Sequence, residues 1–242
     1  MTVPPKDGSA PRAPLSYGER PQLSVGRFCA KVLFTMFFAR ASVVGRENIP
    51  KGDSPYILAL NHRSVLDPAL VWAFYPDPVY FLTRQQLHDL PIFGWMCHRV
   101  GNIPVRPGPF DLRAIRTAVS YLTRLERNVA VFVKGLATGE GGPGEVNHGC
   151  ALLASRTGAR VVPAHVHGTD EALPPRSIVP RFTNELSLHV GKSLDLNLSS
   201  RPRRQELEQA TARVLAAIAG LDPRLLAGLH GHADAQSPRG DG

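Results

Sequence analysis

Apolar positions run in short uninterrupted blocks through the middle of the chain, separated by longer stretches of helical periodicity. Pro55-Tyr56-Ile57-Leu58-Ala59-Leu60 follows a turn signal and reads as a buried strand. Val79-Tyr80-Phe81-Leu82-Thr83 and Arg160-Val161-Val162-Pro163-Ala164-His165-Val166 are further strands. Val129-Ala130-Val131-Phe132-Val133 is apolar on both faces, as a central parallel strand must be. Ser42-Val43-Val44 is a short strand before the turn-rich connection from Gly45 to Gly52. Glu185-Leu186-Ser187-Leu188-His189-Val190 alternates, as an antiparallel or edge strand does. Between these blocks, Asp111 to Arg127 places Leu112, Ile115, Val119, Leu122 and Leu125 at steps of three and four, which predicts an amphipathic helix. Helices are also expected at Gln85–Leu90, Pro91–His98, Cys150–Thr157 and Gln205–Ala219, the last ended by Gly220. Alternating strands and helices imply an α/β fold, a largely parallel sheet flanked by helices.

The ends of the chain differ from its middle. Residues 1–22 are rich in Pro and Gly, lack the early apolar core of a signal peptide, and are expected to be disordered. Residues 23–40 read as a helix whose apolar core, interrupted by Lys31, is shorter than the ~20 residues a membrane span needs. Arg27, Lys31 and Arg40 fall on one half of its helical wheel, and Phe34, Phe37 and Phe38 give it a large apolar load. These features predict a membrane-facing helix rather than one packed on the core. The remaining domain spans 41–226, and 227–242 reads as a disordered tail.

Charge narrows the partners. The net charge is +8 and the isoelectric point near 9.9, which calls for an anionic partner. The chain has no lysine-rich run, no recognisable nucleic-acid module and few aromatics for base stacking. Nucleic acid is therefore set aside in favour of phosphate-bearing small molecules and an anionic membrane surface. Cys29, Cys97 and Cys150 are far apart and lack metal-ligand spacing, which suggests buried thiols in a reducing compartment. His165 and His167 share a strand face, but no third metal ligand is evident beside them, so both are read as structural, as is His148 in its loop. No metal is expected.

The candidate chemistry lies where the central strand ends. Asp67-Pro68 opens the apolar run Ala69-Leu70-Val71-Trp72-Ala73-Phe74, with Asp67 as N-cap and Pro68 in the first turn. His62 thus sits at a strand end and Asp67 at a helix start, in the kind of loop where α/β folds place ligands. Five residues apart, the two would stand about 140° apart on one helix, so they meet only if a turn folds between them. A carboxylate on one imidazole nitrogen fixes the tautomer and leaves the other nitrogen as a base. Read by spacing alone, Asp67 merely caps a helix and His62 is a loop histidine.

The wider context points elsewhere. Asn61-His62-Arg63-Ser64-Val65-Leu66-Asp67-Pro68, following a buried strand, resembles the H-x-x-x-x-D segment of the glycerolipid acyltransferases, the family of 1-acylglycerol-3-phosphate acyltransferase. The resemblance extends in order over residues 40–195. It implies that His62 is the general base and Asp67 its orienting carboxylate, and that Asp67→Asn fails through the wrong tautomer. It also implies that Arg106, in Val100-Gly101-Asn102-Ile103-Pro104-Val105-Arg106-Pro107, meets the acceptor's phosphate. A glycine-rich loop runs from Lys134 to Gly144. Where the family has Phe-Pro-Glu-Gly-Thr-Arg-Ser, this chain keeps Phe132 and Gly135 but has Lys134 for Glu, and Leu136 and Ala137 for Thr and Arg. Gly135 is carried over, and Lys134 adds a cation beside Arg106 where a carboxylate is expected. Asn147-His148-Gly149, the Val161-Val162-Pro163 strand and Gly168-Thr169 follow the pattern again.

The activity so implied is acyl transfer from a thioester, acyl-CoA or acyl carrier protein, to a hydroxyl of a lysophospholipid such as 1-acylglycerol-3-phosphate. The thioester is a co-substrate, and no cofactor is expected. The expected location is peripheral, on the cytoplasmic side of the cell membrane. Two other readings remain open: the same chemistry on another hydroxyl or amine acceptor, and a non-catalytic lipid- or acyl-carrier-binding protein.

Overall fold

The structure is a computed structural model, and it describes residues 21–37, 41–52, 54–106, 111–134, 146–174, 177, 179, 181 and 185–225. In chain order the elements are α1 (Pro21–Phe37), β1 (Ala41–Val44), β2 (Ile57–Leu60), α2 (Asp67–Phe74), β3 (Val79–Arg84) and α3 (Gln85–His88). They continue with α4 (Pro91–Val100), β4 (Ile103–Val105), α5 (Leu112–Thr123), β5 (Asn128–Phe132) and α6 (Gly149–Thr157). The last are β6 (Val161–His167), α7 (Thr169–Ala172), β7 (Leu186–Val190) and α8 (Arg204–Ala219).

The strands form one seven-stranded sheet in the order β1-β7-β6-β2-β5-β3-β4. Pairing is parallel throughout except between β6 and β7. Strand alternation divides the core. Leu58 and Leu60 of β2 pack with Phe34, Leu70 and Val71 on the face covered by α1 and α2. Ile57 and Ala59 pack with Ala118, Leu153 and Val214 on the face covered by α5, α6 and α8. β2 is thus buried on both sides, which is why its sequence is apolar without alternation. Because β2, β3, β4, β5 and β6 run the same way, their carboxyl ends share one edge of the sheet.

The expected α/β architecture is what forms, with differences that have physical causes. β7 is antiparallel to β6, one of the two expected alternatives, and is not an edge strand. It lies between β6 and β1, parallel to one and antiparallel to the other, and Leu186, Ser187, Leu188 and Val190 are all buried. In α5 the buried face is Ala114, Ala118, Tyr121 and Leu122, while Leu112 is exposed. Of the expected apolar positions, Leu122 is buried and Ile115, Val119 and Leu125 pack partly buried on the same core, so only Leu112 departs, while small alanines let the helix approach the sheet closely. The helix stops at Thr123, short of Arg127, and Glu126 adopts φ 51° in the turn that follows.

The N-terminal helix is the largest departure. It begins at Pro21, within the segment expected to be disordered; the rest of that segment, residues 38–40 and the tail from 227 lie outside the described residues. Arg27 does not face outward. Its guanidinium donates to the carbonyls of Ala73, Tyr75 and Pro76, capping the carboxyl end of α2. Phe34 is buried and meets Phe74 edge-on at 6.0 Å. One side of α1 therefore packs on the core. The other exposes Val25, Phe28, Val32 and Met36, spaced by three and four. Among the described residues, no helix is long and apolar enough to cross a membrane.

Candidate active site

The loop after β2 folds back on itself around one carboxylate. Asp67 is the first residue of α2 rather than its cap; the N-cap position is Leu66, which makes no side-chain capping bond. Instead the Asp67 side chain turns toward the loop. Oδ2 accepts from His62 Nδ1 at 2.8 Å, from the Arg63 N–H at 2.7 Å and from the Ser64 N–H at 3.0 Å. Oδ1 accepts from the Thr169 hydroxyl. The side chain is fully buried, and an isolated carboxylate there would cost several kcal/mol, so the four donors are what make the position tenable. A tight turn closes the path, with the Asp67 N–H donating to the Ser64 carbonyl at 3.1 Å. This turn brings His62 and Asp67 together despite a spacing that no helix would allow.

His62 is fixed twice. With Asp67 accepting, the proton sits on Nδ1 and Nε2 is left as the basic nitrogen. The ring also stacks on Phe132 of β5, centroids 4.1 Å apart and planes 20° apart, and Phe132 stacks in turn on Phe81 of β3. The His62 side chain keeps 20% of its surface exposed, enough for a reactant to reach it.

The loop after β6 holds this arrangement from the other side. Asn61 makes a two-point clamp on Val166, donating to its carbonyl at 2.9 Å and accepting from its N–H at 2.7 Å. The Ser64 hydroxyl donates to the Leu173 carbonyl at 2.9 Å. Arg63 pairs with Asp170 at 2.7 Å. Gly168 turns the chain into α7 with φ 84°, and a Cβ there would lie 2.2 Å from the Glu185 carbonyl oxygen, so only glycine can present Thr169 to Asp67. Sequence reading noticed Gly168-Thr169 but not its role as a support, and it missed Asn61 and Asp170 in theirs. No local signal marks a partner a hundred residues away.

Arg106 lies at the end of β4 and is exposed. Its backbone N–H donates to Asp111 at 2.9 Å, and the same carboxylate caps α5 through the N–H groups of Arg113 and Ala114. The Arg106 N–H first, then those of Ala114 and Arg113 and the Arg106 charge, hold the Asp111 carboxyl below its ordinary value. Lys134 is exposed just past β5 and bridges to Val146. Leu60 pairs with Phe132, so Lys134 follows β5 by the same two residues as His62 follows β2. In strand order Lys134 is one step from the His62 loop and Arg106 three, about 5 and 14 Å at the usual strand spacing. The two cations share the His62 edge of the sheet but stand two strands apart. Gly135, Leu136 and Ala137 lie outside the described residues.

His148 occupies the N-cap position of α6 and bonds the Thr211 hydroxyl at 3.0 Å, a structural role as expected. His165 and His167, by contrast, do have a third potential ligand. Asp222, beyond the end of α8, brings its carboxylate within 4.8 Å of both rings. The chain separation of more than fifty residues hid it from the sequence.

A chloroplast 1-acyl-sn-glycerol-3-phosphate acyltransferase of Arabidopsis thaliana is 29% identical over 141 residues, 58% of this chain and 39% of that protein. A 1-acyl-sn-glycerol-3-phosphate acyltransferase of Streptococcus pneumoniae is 24% identical over 178 residues, 73% of this chain and 64% of that protein. The chain thus spans less than two thirds of the length of these curated relatives. The crystal structure of the Thermotoga maritima 1-acyl-sn-glycerophosphate acyltransferase PlsC superposes with a TM-score of 0.65 at 24% identity, covering 83% of this chain and 78% of that one, which is a likeness of fold. The Acyltransferase family model matches residues 40–167, more than half of the chain, from the start of the sheet through the end of β6. That stretch contains the His62–Asp67 loop and the strands that position it, and the chain belongs to the Acyltransferase family.

Proposed function

We propose that this protein transfers a fatty acyl group from a thioester, acyl-CoA or acyl carrier protein, to a hydroxyl of a lysophospholipid. The observation that carries this reading is the pair of His62 and buried Asp67, bonded at 2.8 Å with Nε2 left basic, on the open edge of the sheet. His62 Nε2 takes the acceptor hydroxyl's proton as its oxygen attacks the thioester carbonyl. The tetrahedral intermediate collapses by breaking the carbon–sulfur bond, and the departing thiolate takes that proton from His62. Base assistance of this kind contributes roughly 10²–10⁴-fold, and holding both substrates in line contributes much of the rest. The chemistry needs no cofactor. A non-catalytic lipid binder has no use for an imidazole so tightly oriented.

Arg106 is the proposed anchor for the acceptor's phosphate, as a planar fork suited to its oxygens. Lys134, nearer to His62 in strand order, supplies a second cation where the family pattern has a carboxylate. A carboxylate accepts hydrogen bonds from an acceptor hydroxyl, and an ammonium cannot. This departure favours a second reading of the acceptor, in which its glycerol or headgroup portion differs from that of lysophosphatidate. A relative named lyso-ornithine lipid O-acyltransferase, 27% identical over 142 residues, supports a wider acceptor range. We further propose that the enzyme binds peripherally to anionic bilayers at the cytoplasmic side of the cell membrane. The exposed Val25, Phe28, Val32 and Met36 stripe of α1 and the net charge of +8 support this reading.

The test is acyl transfer by purified protein with acyl-CoA and acyl carrier protein donors over a panel of acceptors. Lysophosphatidate turnover is compared for the parent, Lys134→Glu and Lys134→Glu/Ala137→Arg. A missing charged hydrogen bond costs roughly 1.5–3 kcal/mol, so the double change is expected to improve lysophosphatidate turnover by about 10–150-fold. No transfer to any acceptor would overturn the function. A parent already most efficient on lysophosphatidate, and not improved by the double change, would overturn the altered-acceptor reading.

A further inference from the structure

The His165, His167 and Asp222 cluster lies on the face of the sheet covered by α8, away from the Phe132 stack that holds His62. Three elements build it. His165 and His167 stand two residues apart on β6, so their side chains share a face. The turn after α8 delivers Asp222, its N–H donating to the Ala219 carbonyl at 3.0 Å. Leu221 of that turn packs onto Gly191 and Pro163, where a Cβ on Gly191 would meet both at about 3 Å.

The backbone orients two of the three donor groups. His165 Nδ1 lies 3.3 Å from the Ile218 carbonyl oxygen, which can only accept, so that nitrogen carries the proton. Its Nε2 then offers a bare lone pair. This atom is buried, has no hydrogen-bond partner, and belongs to a side chain only 6% exposed. It points at Asp222 Oδ2 across 3.8 Å, too far for a hydrogen bond. The other carboxylate oxygen, Oδ1, is already engaged by the Arg224 N–H at 3.0 Å. Backbone groups therefore leave His165 Nε2 and Asp222 Oδ2 turned toward one space, and a ring nitrogen of His167 lies within 4.8 Å of both. A backbone carbonyl accepting from one imidazole nitrogen, with the other nitrogen free, is how metal-binding histidines are usually held.

Burial first, with the Arg63 and His167 charges, lowers the His165 pKa despite Asp222 and the Ile218 carbonyl. Burial raises the Asp222 pKa, but the Arg224 N–H and the His165, His167 and Arg224 charges outweigh it. The nearest other basic groups are occupied. Arg63 is paired with Asp170, Arg224 with Glu171, and His189 Nε2 with the Ser187 hydroxyl.

We propose that His165 Nε2, a ring nitrogen of His167 and Asp222 Oδ2 bind one divalent transition-metal cation, with zinc as the best match. Zinc–nitrogen and zinc–oxygen distances are about 2.0–2.2 Å, so two ligands of a tetrahedral ion lie roughly 3.4 Å apart. The 3.8 Å between Nε2 and Oδ2 closes to that with a small side-chain movement. Two imidazoles and a carboxylate are a zinc-type donor set, with water completing the shell. The ion fastens the end of α8 to β6, beside the Val166 residue that Asn61 clamps. It takes no part in the His62 chemistry.

The test uses untagged, chelator-stripped full-length protein titrated with zinc chloride and, separately, cobalt chloride. One equivalent is expected to bind with micromolar or tighter affinity. At zinc a hundredfold above Kd, mass action should raise Tm by about 5–10 °C. The cobalt complex should show visible bands without the near-ultraviolet charge-transfer band of a cysteine ligand. Asp222→Asn and His167→Gln, both near the surface and shape-conserving, should each weaken binding at least tenfold while circular dichroism stays unchanged. Full-length His230→Ala/His232→Ala should bind as the parent does. Absence of binding would overturn the proposal, the gap then being filled by a bridging water. So would equal affinity in Asp222→Asn and His167→Gln, or loss of binding in the His230/His232 variant.

Discussion

Replacing Asp67 with asparagine keeps the shape of the site and removes one charge. The position of Oδ2 receives two backbone N–H groups, from Arg63 at 2.7 Å and Ser64 at 3.0 Å. Only the amide oxygen can sit there, because the NH₂ would confront two donors. The NH₂ then faces the Thr169 hydroxyl, which rotates to accept. The oxygen still accepts from His62 Nδ1–H, so the tautomer survives. This differs from what the resemblance implies, in which asparagine installs the wrong tautomer. What disappears is the attraction between a carboxylate and the imidazolium that forms as His62 takes a proton. At a charge separation of about 4 Å and an effective dielectric constant of ~20, that attraction is about 4 kcal/mol. A fully formed imidazolium would thus lose ~10³-fold in rate, and a partly formed one less. We expect kcat to fall about 10²–10³-fold in Asp67→Asn. Weaker neutral hydrogen bonds should also lower stability by about 1–3 kcal/mol, or roughly 2–10 °C in Tm. The assay is thioester consumption at saturating donor and acceptor, alongside a thermal melt. A kcat within tenfold of the parent would refute the electrostatic argument. A loss beyond about 10⁴-fold with unchanged Tm would show that the tautomer had flipped after all. Asp67→Leu, which strands three N–H groups and a hydroxyl, should fail to fold.

His62→Ala should abolish transfer with little change in Tm, since its ring is partly exposed; near-normal turnover in the purified variant would remove it as the base. Asp111→Ala should lower stability by about 1 kcal/mol through loss of the α5 cap, and should raise the acceptor KM more than it lowers kcat, because Arg106 loses its backbone anchor. Phe28→Ser/Met36→Ser should reduce flotation with anionic vesicles and leave the melt unchanged. Phe34→Ala should instead cost about 3 kcal/mol in a denaturant melt, and an opposite pattern would mean that α1 packs the other way round.

The sequence by itself determined six of the seven strands, all but the three-residue β4, and the parallel core. Uninterrupted apolar blocks at 55–60 and 129–133 can only be stable when both faces are covered, so β2 and β5 were legible as central strands. Asp67-Pro68 marked where α2 starts, and the resemblance around Asn61 to Pro68 marked His62 and Asp67 as a pair. Only the tertiary structure decided how that pair is held. Asp67 has one local reason to be where it is, the turn through Ser64, and one distant reason, Thr169, which no periodicity announces. The sequence placed Arg27 and Phe34 on an outward side of α1 for a related cause. Arg27 and Phe34 face inward because α2 offers free carbonyls and an aromatic ring there, and a helical wheel records which residues share a face but not what faces them. The same limit hid Asp222 from His165 and His167. Strand alternation fixes two ligands from local geometry, whereas the third arrives through the packing of α8 onto the sheet, a contact between residues more than fifty positions apart.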